Sequence, residues 1–166
     1  MKSIFVIIFI SLSIAGYSRE FEHCSFQEDD DKAVINWMDF ESAIKENEQE
    51  KKFIFIDIYT GWCGWCKKMD QTTFLEPEVV SYMNEHFWAV KMDAESKDPI
   101  AFKETLYEYK MYNGKGYNEL AVNLLGGKMS FPTFVVLSKR EVKMGVINGY
   151  QSKSQLLSAL SKYTKK

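Results

Sequence analysis

Cysteine is scarce in this sequence. There are 3 cysteines in 166 residues, too few for a small fold held together by several disulfides. Two of them, Cys63 and Cys66, are separated by only two residues. A disulfide between them would close a very short loop and would restrict the unfolded chain little. The pair is therefore not expected to serve stability alone.

Long apolar runs are also missing. A helix that crosses a bilayer needs about 20 consecutive apolar residues, and the best candidate here, Ile4 to Ile14, is much shorter. It follows Lys2 and precedes small residues that include Ala15 and Ser18, which is the pattern of a secretory signal peptide. We therefore predict a signal peptide over residues 1–18 and an exported protein, periplasmic or extracellular. An uncleaved anchor is the alternative.

No excess of positive charge is present, since 21 lysines and arginines stand against 23 aspartates and glutamates, for a net charge of −2. Surfaces that bind nucleic acid or anionic membranes usually carry such an excess, so neither partner is expected. The hydrophobic fraction of 46% supplies a core for one domain, which we place at residues 37–166.

An acidic leader is predicted over residues 19–36, with little regular structure from Glu20 to Lys32. This leader contains the third cysteine, Cys24. The residues before Cys24 do not resemble a lipid-attachment motif, so no lipid anchor is expected. A monomer is expected as well.

The apolar periodicity of the remaining chain alternates between helices and strands. Phe53 to Tyr59 is a near-continuous apolar run, as expected for a central strand covered on both faces. Alternating helices and strands imply a parallel core, and a closing hairpin adds an antiparallel edge. Four helices are predicted: one over 39–50, one that begins at Cys63 and passes Met69, one that begins at Pro77 and one after Ser152. Four strands are predicted, over 53–59, 87–92, 133–137 and 142–147.

The segment from Ala94 to Ser130 is long for a connection in such a domain. Asp98 and Pro99 indicate a helix start. An amphipathic helix is predicted from the apolar residues Ile100, Phe102, Leu106 and Tyr107. A loop rich in tyrosine and glycine follows at 109–117. The segment either packs over the sheet or forms a docking surface for partners.

Three explanations fit a Cys-x-x-Cys pair. A structural zinc site needs four ligands, but beyond the pair only His23, Cys24 and His86 are available. A pair without chemical function in a binding domain is the second explanation. A redox pair is the third, and it requires particular surroundings.

Cys63 is predicted to lie at the start of a helix, where the dipole and the free backbone amides stabilise a thiolate. Cys66, one turn further along, is expected to be more buried and to act as the resolving thiol. Lys67 and Lys68 add positive potential, although side chains of this kind are usually solvated. Cys63 is therefore the predicted nucleophile.

Asp57 interrupts an otherwise apolar strand six residues before Cys63. Burying an ionised carboxylate is costly, so its pKa should rise or it should have a partner. Lys91 interrupts the next apolar strand and is the natural partner, unless it extends to water. Asp57 could then transfer protons for the cysteine pair. The alternative is an aspartate that faces solvent on an edge strand.

Pro132 stands immediately before a predicted strand, between Phe131 and Thr133. Proline lacks the amide that strand pairing uses. The residue either forms a turn or follows a cis peptide bond, and a cis bond explains the position better.

Together these residues resemble the thioredoxin superfamily over Trp37 to Tyr163. The centre of the resemblance is the Trp-Cys-Gly-Trp-Cys-Lys stretch from Trp62 to Lys67. The other matches are Asp57, Lys91, Phe131-Pro132-Thr133 and Gly149. The resemblance implies a thioredoxin fold, an α/β fold with a central mixed β-sheet flanked by helices, here with an enlarged segment before the cis-proline strand.

The resemblance also implies thiol-disulfide exchange through a mixed disulfide. It assigns the nucleophile to Cys63, the resolving thiol to Cys66 and proton handling to Asp57. Trp62 and Lys91 would support the site. Substrate contacts would come from Trp65, Phe131, Pro132 and Thr133. No cofactor and no metal are implied, since the cysteines carry the two electrons.

Trp65 occupies a position where thioredoxin itself has proline. Residues between the two cysteines influence the redox potential, which ranges from about −270 to −120 mV in this superfamily, so the direction of electron flow stays open. A reductase fed by a membrane electron donor and acting on protein cysteines is favoured, because the pattern is closer to thioredoxin than to dedicated oxidases. The alternatives are a non-catalytic module that docks partners through residues 94–130 and a zinc-binding protein.

Overall fold

The computed structural model describes residues 33–165. They form a five-stranded sheet with helices on both faces and two separate β-hairpins. In chain order the strands are β1 (Trp37–Met38), β2 (Phe53–Tyr59), β3 (Phe87–Asp93), β4 (Ile100–Phe102), β5 (Thr105–Tyr107), β6 (Tyr109–Tyr112), β7 (Lys115–Asn118), β8 (Thr133–Leu137) and β9 (Lys143–Asn148). The helices are α1 (Phe40–Gln49), α2 (Gly64–Gln71), α3 (Pro77–His86), α4 (Glu119–Leu125) and α5 (Lys153–Thr164), with a 3₁₀ turn at Thr73–Leu75.

The large sheet is mixed. Its strand order is β1-β3-β2-β8-β9. The pairs β1–β3 and β2–β3 are parallel, whereas β2–β8 and β8–β9 are antiparallel. β2 lies in the middle, which explains why its sequence is almost continuously apolar. The predicted α/β fold with a central mixed sheet flanked by helices is confirmed.

Side-chain alternation along β2 divides the core into two layers. Ile54, Ile56 and Ile58 point to the face that α1 and α4 cover. Phe55 points to the opposite face, which α2, α3 and α5 cover. Because the side chains alternate, Asp57 lies on the Phe55 face, on the same side of the sheet as α2.

Local signals place the helix ends. The Asp39 side chain accepts a hydrogen bond from the Ser42 amide at 2.7 Å and so caps α1. Ser152 and Gln155 form a capping box at the start of α5, and Pro77 opens α3. Outside 94–130, the predicted helices and strands are confirmed to within one or two residues, and the short strand β1 is an addition that periodicity does not predict.

The predicted helix at 98–107 is wrong. This stretch forms an antiparallel hairpin, β4–β5, which turns at Lys103 and Glu104. Both turn residues have positive φ, 47° and 63°, which right-handed helical residues do not adopt. The apolar side chains Ile100, Phe102 and Leu106 are spaced by two and by four, so their spacing fits a strand as well as a helix.

The predicted loop at 109–117 is also wrong, because it forms a second hairpin, β6–β7. Its turn is Asn113-Gly114, with φ of 49° and 80°, and Asn-Gly is a preferred pair in two-residue hairpin turns. α4 follows directly and is missing from the sequence prediction. The Asn118 side chain caps α4, and Gly126 ends it in the left-handed conformation.

The packed domain begins before the predicted boundary at residue 37. Ile35 is only 4% exposed and belongs to the core layer beside α3. Asn84 on α3 holds both neighbours of Ile35, since its side chain donates to the Val34 carbonyl at 2.8 Å and accepts from the Asn36 amide at 3.0 Å. Residues 34–36 therefore belong to the domain rather than to a leader.

The predicted signal peptide, most of the predicted leader and Cys24 lie outside the described residues. None of the helices within 33–165 combines the length and the apolar character that a bilayer-spanning helix needs.

Candidate active site

Cys63 lies between β2 and α2, Cys66 lies in the first turn of α2, and the two form a disulfide. A turn comes first, in which the Cys63 amide donates to the Thr60 carbonyl at 3.1 Å. Cys63 is the N-cap of α2, and its Sγ accepts a hydrogen bond from the Cys66 amide at 3.1 Å. The Cys63 sulfur therefore lies at the end of the helix where free amides and the dipole favour a negative charge.

Both cysteines are buried to the same extent, with 3% of each residue exposed. The prediction that Cys66 is the more buried of the two is therefore wrong for the disulfide form. What distinguishes the two sulfurs is their place on α2. Cys63 caps the helix, whereas Cys66 lies on its buried side together with Met69.

Asp57 lies on the middle strand, with 1% of its surface exposed. The alternative of a solvent-facing aspartate on an edge strand is thereby excluded. Burial raises the pKa of Asp57 from 3.8 to about 6, although Lys91 opposes the rise. Its Oδ1 makes no hydrogen bond with any residue in 33–165, and neither does the buried hydroxyl of Thr60. Asp57 is thus a buried acid whose pKa lies closer to neutral pH than that of an exposed aspartate.

Lys91 pairs with Asp57, and its Nζ donates to Oδ2 at 2.7 Å. The two residues are partners in the parallel register of β2 and β3. The same ammonium also donates to Asp70, in the last turn of α2. Burial lowers the pKa of Lys91, but the two carboxylates raise it by more, so the net shift is upward. The predicted pairing of Asp57 with Lys91 is confirmed, and Asp70 is an addition to it.

Trp62 is held on two sides. Its Nε1 donates to the two oxygens of Glu95 at 3.0 and 3.1 Å, and its ring meets Phe131 edge-on, with 5.8 Å between the centroids. Lys115, the first residue of β7, has its ammonium 5.9 Å from the centre of the Trp62 ring. Since 60% of Trp62 is nevertheless exposed, it presents a positioned apolar surface next to Cys63.

Trp65, between the cysteines, is 61% exposed and packs against Tyr150, with 5.4 Å between the ring centroids. Tyr150 is itself exposed and lies in the loop between β9 and α5. We refer to Trp62, Trp65 and Tyr150 as the aromatic surface. Large exposed aromatic side chains are a feature of sites that bind other proteins.

The Phe131–Pro132 peptide bond is cis. Pro132 is buried, and its carbonyl accepts the Gly149 amide at 2.8 Å. Thr133 is also buried, and its hydroxyl donates to the Ser130 carbonyl at 2.7 Å. The predicted substrate contact by Thr133 stays a prediction. Phe131 is half-buried, and its N–H and C=O make no hydrogen bond to other backbone groups within 33–165.

The part of the chain that the structure describes contains no group of three or more histidine, cysteine, aspartate or glutamate side chains that could hold a metal ion. His23 and Cys24, two of the ligands that the zinc alternative would draw on, lie outside it.

Sequence reasoning misses Asp70, Glu95, Lys115 and Tyr150. Asp70 falls on the predicted helix, but no sequence signal pairs it with Lys91. Glu95 and Lys115 come from the segment whose elements the sequence mispredicts. The Asn-Gly hairpin signal would have placed Lys115 at the start of a strand, although not beside Trp62.

Comparison with known proteins agrees with this geometry. The family model Thioredox_DsbH, described as "Protein of unknown function, DUF255", matches residues 20–162. The thiol:disulfide interchange protein DsbD of Pseudoalteromonas atlantica is 28% identical over 93 residues, which are 55% of this chain and 15% of that protein. Two further DsbD proteins are matched over 18% and 9% of their lengths. The chain thus spans only a small part of these curated relatives.

Solved structures share the fold at low identity. A DsbH oxidoreductase superposes with a TM-score of 0.56 at 17% identity, covering 80% of this chain and 86% of the other. A thioredoxin from Thermus thermophilus superposes with a TM-score of 0.58 at 14% identity, covering 78% and 86%. The predicted thioredoxin fold is confirmed. Because the family model spans most of the chain, this protein belongs to the thioredoxin superfamily and, within it, to the DsbH-type family DUF255.

Proposed function

We propose that the protein is a thiol-disulfide oxidoreductase that exchanges a dithiol for a disulfide with protein cysteines through Cys63 and Cys66. The observation that carries this proposal is the position of the Cys63 sulfur, which caps α2 and accepts the Cys66 amide at 3.1 Å. In the reduced protein the same amide and the helix dipole would stabilise a Cys63 thiolate, which is the nucleophile in disulfide exchange.

The reaction follows from this geometry. The Cys63 thiolate attacks one sulfur of a substrate disulfide, and the other substrate sulfur leaves as a thiolate and takes up a proton. Cys66 then loses its proton and attacks the Cys63 sulfur, which releases the second substrate thiol. The products are the Cys63–Cys66 disulfide and a substrate dithiol, so two electrons pass from protein to substrate. No cofactor is needed, because the cysteines carry both electrons.

Asp57 is the proposed base for the second step. It lies on the face of the sheet that α2 covers, and Cys66 is on the buried side of α2. With a pKa of about 6, Asp57 is mostly a carboxylate at neutral pH and can accept the Cys66 proton. Its Oδ1 makes no hydrogen bond within 33–165. Lys91 would hold Oδ2 and so orient the carboxylate.

The proposed substrate is an extended segment of another protein. Phe131 has a backbone N–H and C=O that are free of backbone partners in the described chain, as an added strand requires. Its ring contacts Trp62, so a segment paired there would lie close to the disulfide. Trp62 and Trp65 would contact the side chains next to the substrate cysteine. Pro132 would shape this stretch from a buried position.

The reductase direction is the finer part of the proposal. The predicted signal peptide supports export to an oxidising compartment, where a dithiol has to be regenerated after each turnover. A membrane thiol donor would supply those electrons. Alkylation of proteins quenched in acid, followed by mass measurement, reads the state of the pair in the native cell. A mainly reduced pair supports a reductase, whereas a mainly oxidised pair supports an oxidase.

A trapping experiment tests the activity itself. Cys66→Ala leaves Cys63 able to attack a substrate disulfide but removes the thiol that releases the substrate. This variant should therefore accumulate covalent adducts that dithiothreitol cleaves. Cys63→Ala is the matched control and should form none. The wild-type protein should also reduce insulin disulfides in the presence of dithiothreitol. Absence of adducts from Cys66→Ala, together with no insulin reduction, would favour the non-catalytic binding module instead.

A further inference from the structure

Three charged side chains form a row that joins two strands to α2. Lys91 on β3 donates to Asp57 on β2 at 2.7 Å and also to Asp70 on α2. The exposure of the three groups differs, since the side chain of Asp57 is 2% exposed, that of Lys91 24% and that of Asp70 44%. One ammonium is therefore shared between a buried carboxylate and a carboxylate that reaches solvent.

This sharing matters when Asp57 changes its charge. If Asp57 gains a proton, Lys91 loses the attraction of that carboxylate. An ammonium left without a counter-ion at a largely buried position is costly. Asp70 removes this cost because its carboxylate is bonded to the same ammonium. The negative charge of Asp70 also repels the ionised form of Asp57 directly.

The remaining groups around Lys91 do not replace Asp70. The aromatic rings of Trp37, Tyr59 and Phe74 lie 4.8–5.4 Å from Nζ. Burial, followed by the nearby Asp93, raises the pKa of Tyr59, so Tyr59 is neutral and adds no charge. Lys91 also lines a cleft with the carboxylates Asp39, Glu41, Asp93 and Asp98. Its ion pairs, however, are with Asp57 and Asp70 alone among the described residues.

We propose that Asp70 is a positioning residue that sets the proton affinity of Asp57 by sharing the Lys91 ammonium. It acts through Lys91 and does not touch the reacting sulfurs. The proposal rests on the proposed function in one respect, namely that Asp57 takes the Cys66 proton. With Asp70 in place, Asp57 can hold that proton near neutral pH and later release it. Without Asp70, the Lys91 ammonium would pair with Asp57 alone and would favour the ionised form of Asp57.

The test is a direct titration of Asp57 in the oxidised protein by carboxyl ¹³C NMR, with the resonance identified from its loss in Asp57→Asn. Asp70→Asn should lower the midpoint by roughly 0.5–1 pH unit, the size expected for the loss of one nearby like charge. Asp70→Glu keeps the charge and should restore most of the wild-type midpoint. Glu48→Gln, which removes one exposed negative charge on α1, should leave it unchanged.

A kinetic readout accompanies the titration. The rate at which Cys66 resolves a preformed mixed disulfide between Cys63 and a peptide should show the same shift of its pH profile in Asp70→Asn. Asp70→Ser also removes the charge but has a shorter side chain. Its Asp57 midpoint and its pH profile must agree with those of Asp70→Asn, which separates the effect of charge from a local change in fold.

An unchanged or raised Asp57 midpoint in both Asp70→Asn and Asp70→Ser would overturn the proposal. A lowered midpoint without the parallel shift in the resolution rate would overturn the link to catalysis. The Asp57 midpoint could also fall although neither the wild type nor any variant exchanges thiols. In that case the proposed function has failed, whereas the electrostatic role of Asp70 stands. The NMR titration therefore separates the two failures.

Discussion

Asp57 and Lys91 are register partners on adjacent parallel strands, and 2.7 Å separates Oδ2 from Nζ. Parallel pairing places their side chains on one face of the sheet, which is the face that α2 covers. The ion pair therefore lies on the same side of the sheet as the redox-active helix.

The first prediction concerns the pH dependence of exchange. If Asp57 accepts the Cys66 proton, it must be ionised, so the rate of mixed-disulfide resolution should rise with pH through about 6, the pKa of Asp57. Asp57→Asn should remove this rise and slow resolution by about 10²-fold or more at pH 7. Single-turnover measurements between pH 5 and 8 check it. Asp98→Asn is the matched control at an exposed aspartate, and a retained inflection in Asp57→Asn would contradict the assignment.

The second prediction concerns stability. The pKa of Asp57 is raised on folding from 3.8 to about 6, so between these values the folded protein binds more protons than the unfolded chain. The contribution of Asp57 to stability should therefore fall as pH rises through this window and level off about one unit above pH 6, with a total loss of ~3 kcal/mol. Asp57→Asn should remove that loss and raise the free energy of unfolding at pH 7, but not at pH 3.5. Urea unfolding of the oxidised protein at both pH values measures it. An equal effect at both would show that burial of the charge is not the cause.

The third prediction concerns the aromatic surface. Trp65 is largely exposed, and its ring contacts Tyr150, so Trp65→Ala should change the free energy of unfolding by less than about 0.5 kcal/mol. It should weaken capture of a peptide substrate about tenfold, as truncation of an interface aromatic does, and this loss should appear in KM. Leu106→Ala removes an exposed apolar side chain on β5 and is the control. Equal KM values for the two variants would argue against substrate contact by Trp65.

The fourth prediction concerns the start of the domain. Ile35 is buried in the core beside α3, whereas its neighbour Val34 is 59% exposed. Ile35→Ala should cost about 2–4 kcal/mol of unfolding free energy, and Val34→Ala should cost less than about 0.5 kcal/mol. Chemical denaturation of the two variants gives the comparison. Similar small losses would mean that the domain begins at Trp37, as the sequence alone indicates.

The sequence predicts the strands and helices around the cysteines well, and the reason is local. β2 is apolar throughout, Asp39 and Ser152 cap helices, and Pro77 opens one, so each signal acts within a few residues. The same reasoning fails at 98–107, where Ile100, Phe102 and Leu106 fit either period. The Asn113-Gly114 turn was a local signal as well, and it would have identified the second hairpin.

By itself the sequence determined the redox motif, its position after a buried strand and at the start of a helix, and the buried acid Asp57. These features depend on spacing and on the cost of burying polar groups, which can be read along the chain. Only the tertiary structure decided that Lys91 is shared with Asp70, that Glu95 and Lys115 flank Trp62, and that both cysteines are equally buried. The contacts join residues that are distant in the chain, and the burial of the cysteines depends on what packs around them. Both are therefore set by how the elements pack and not by any local pattern.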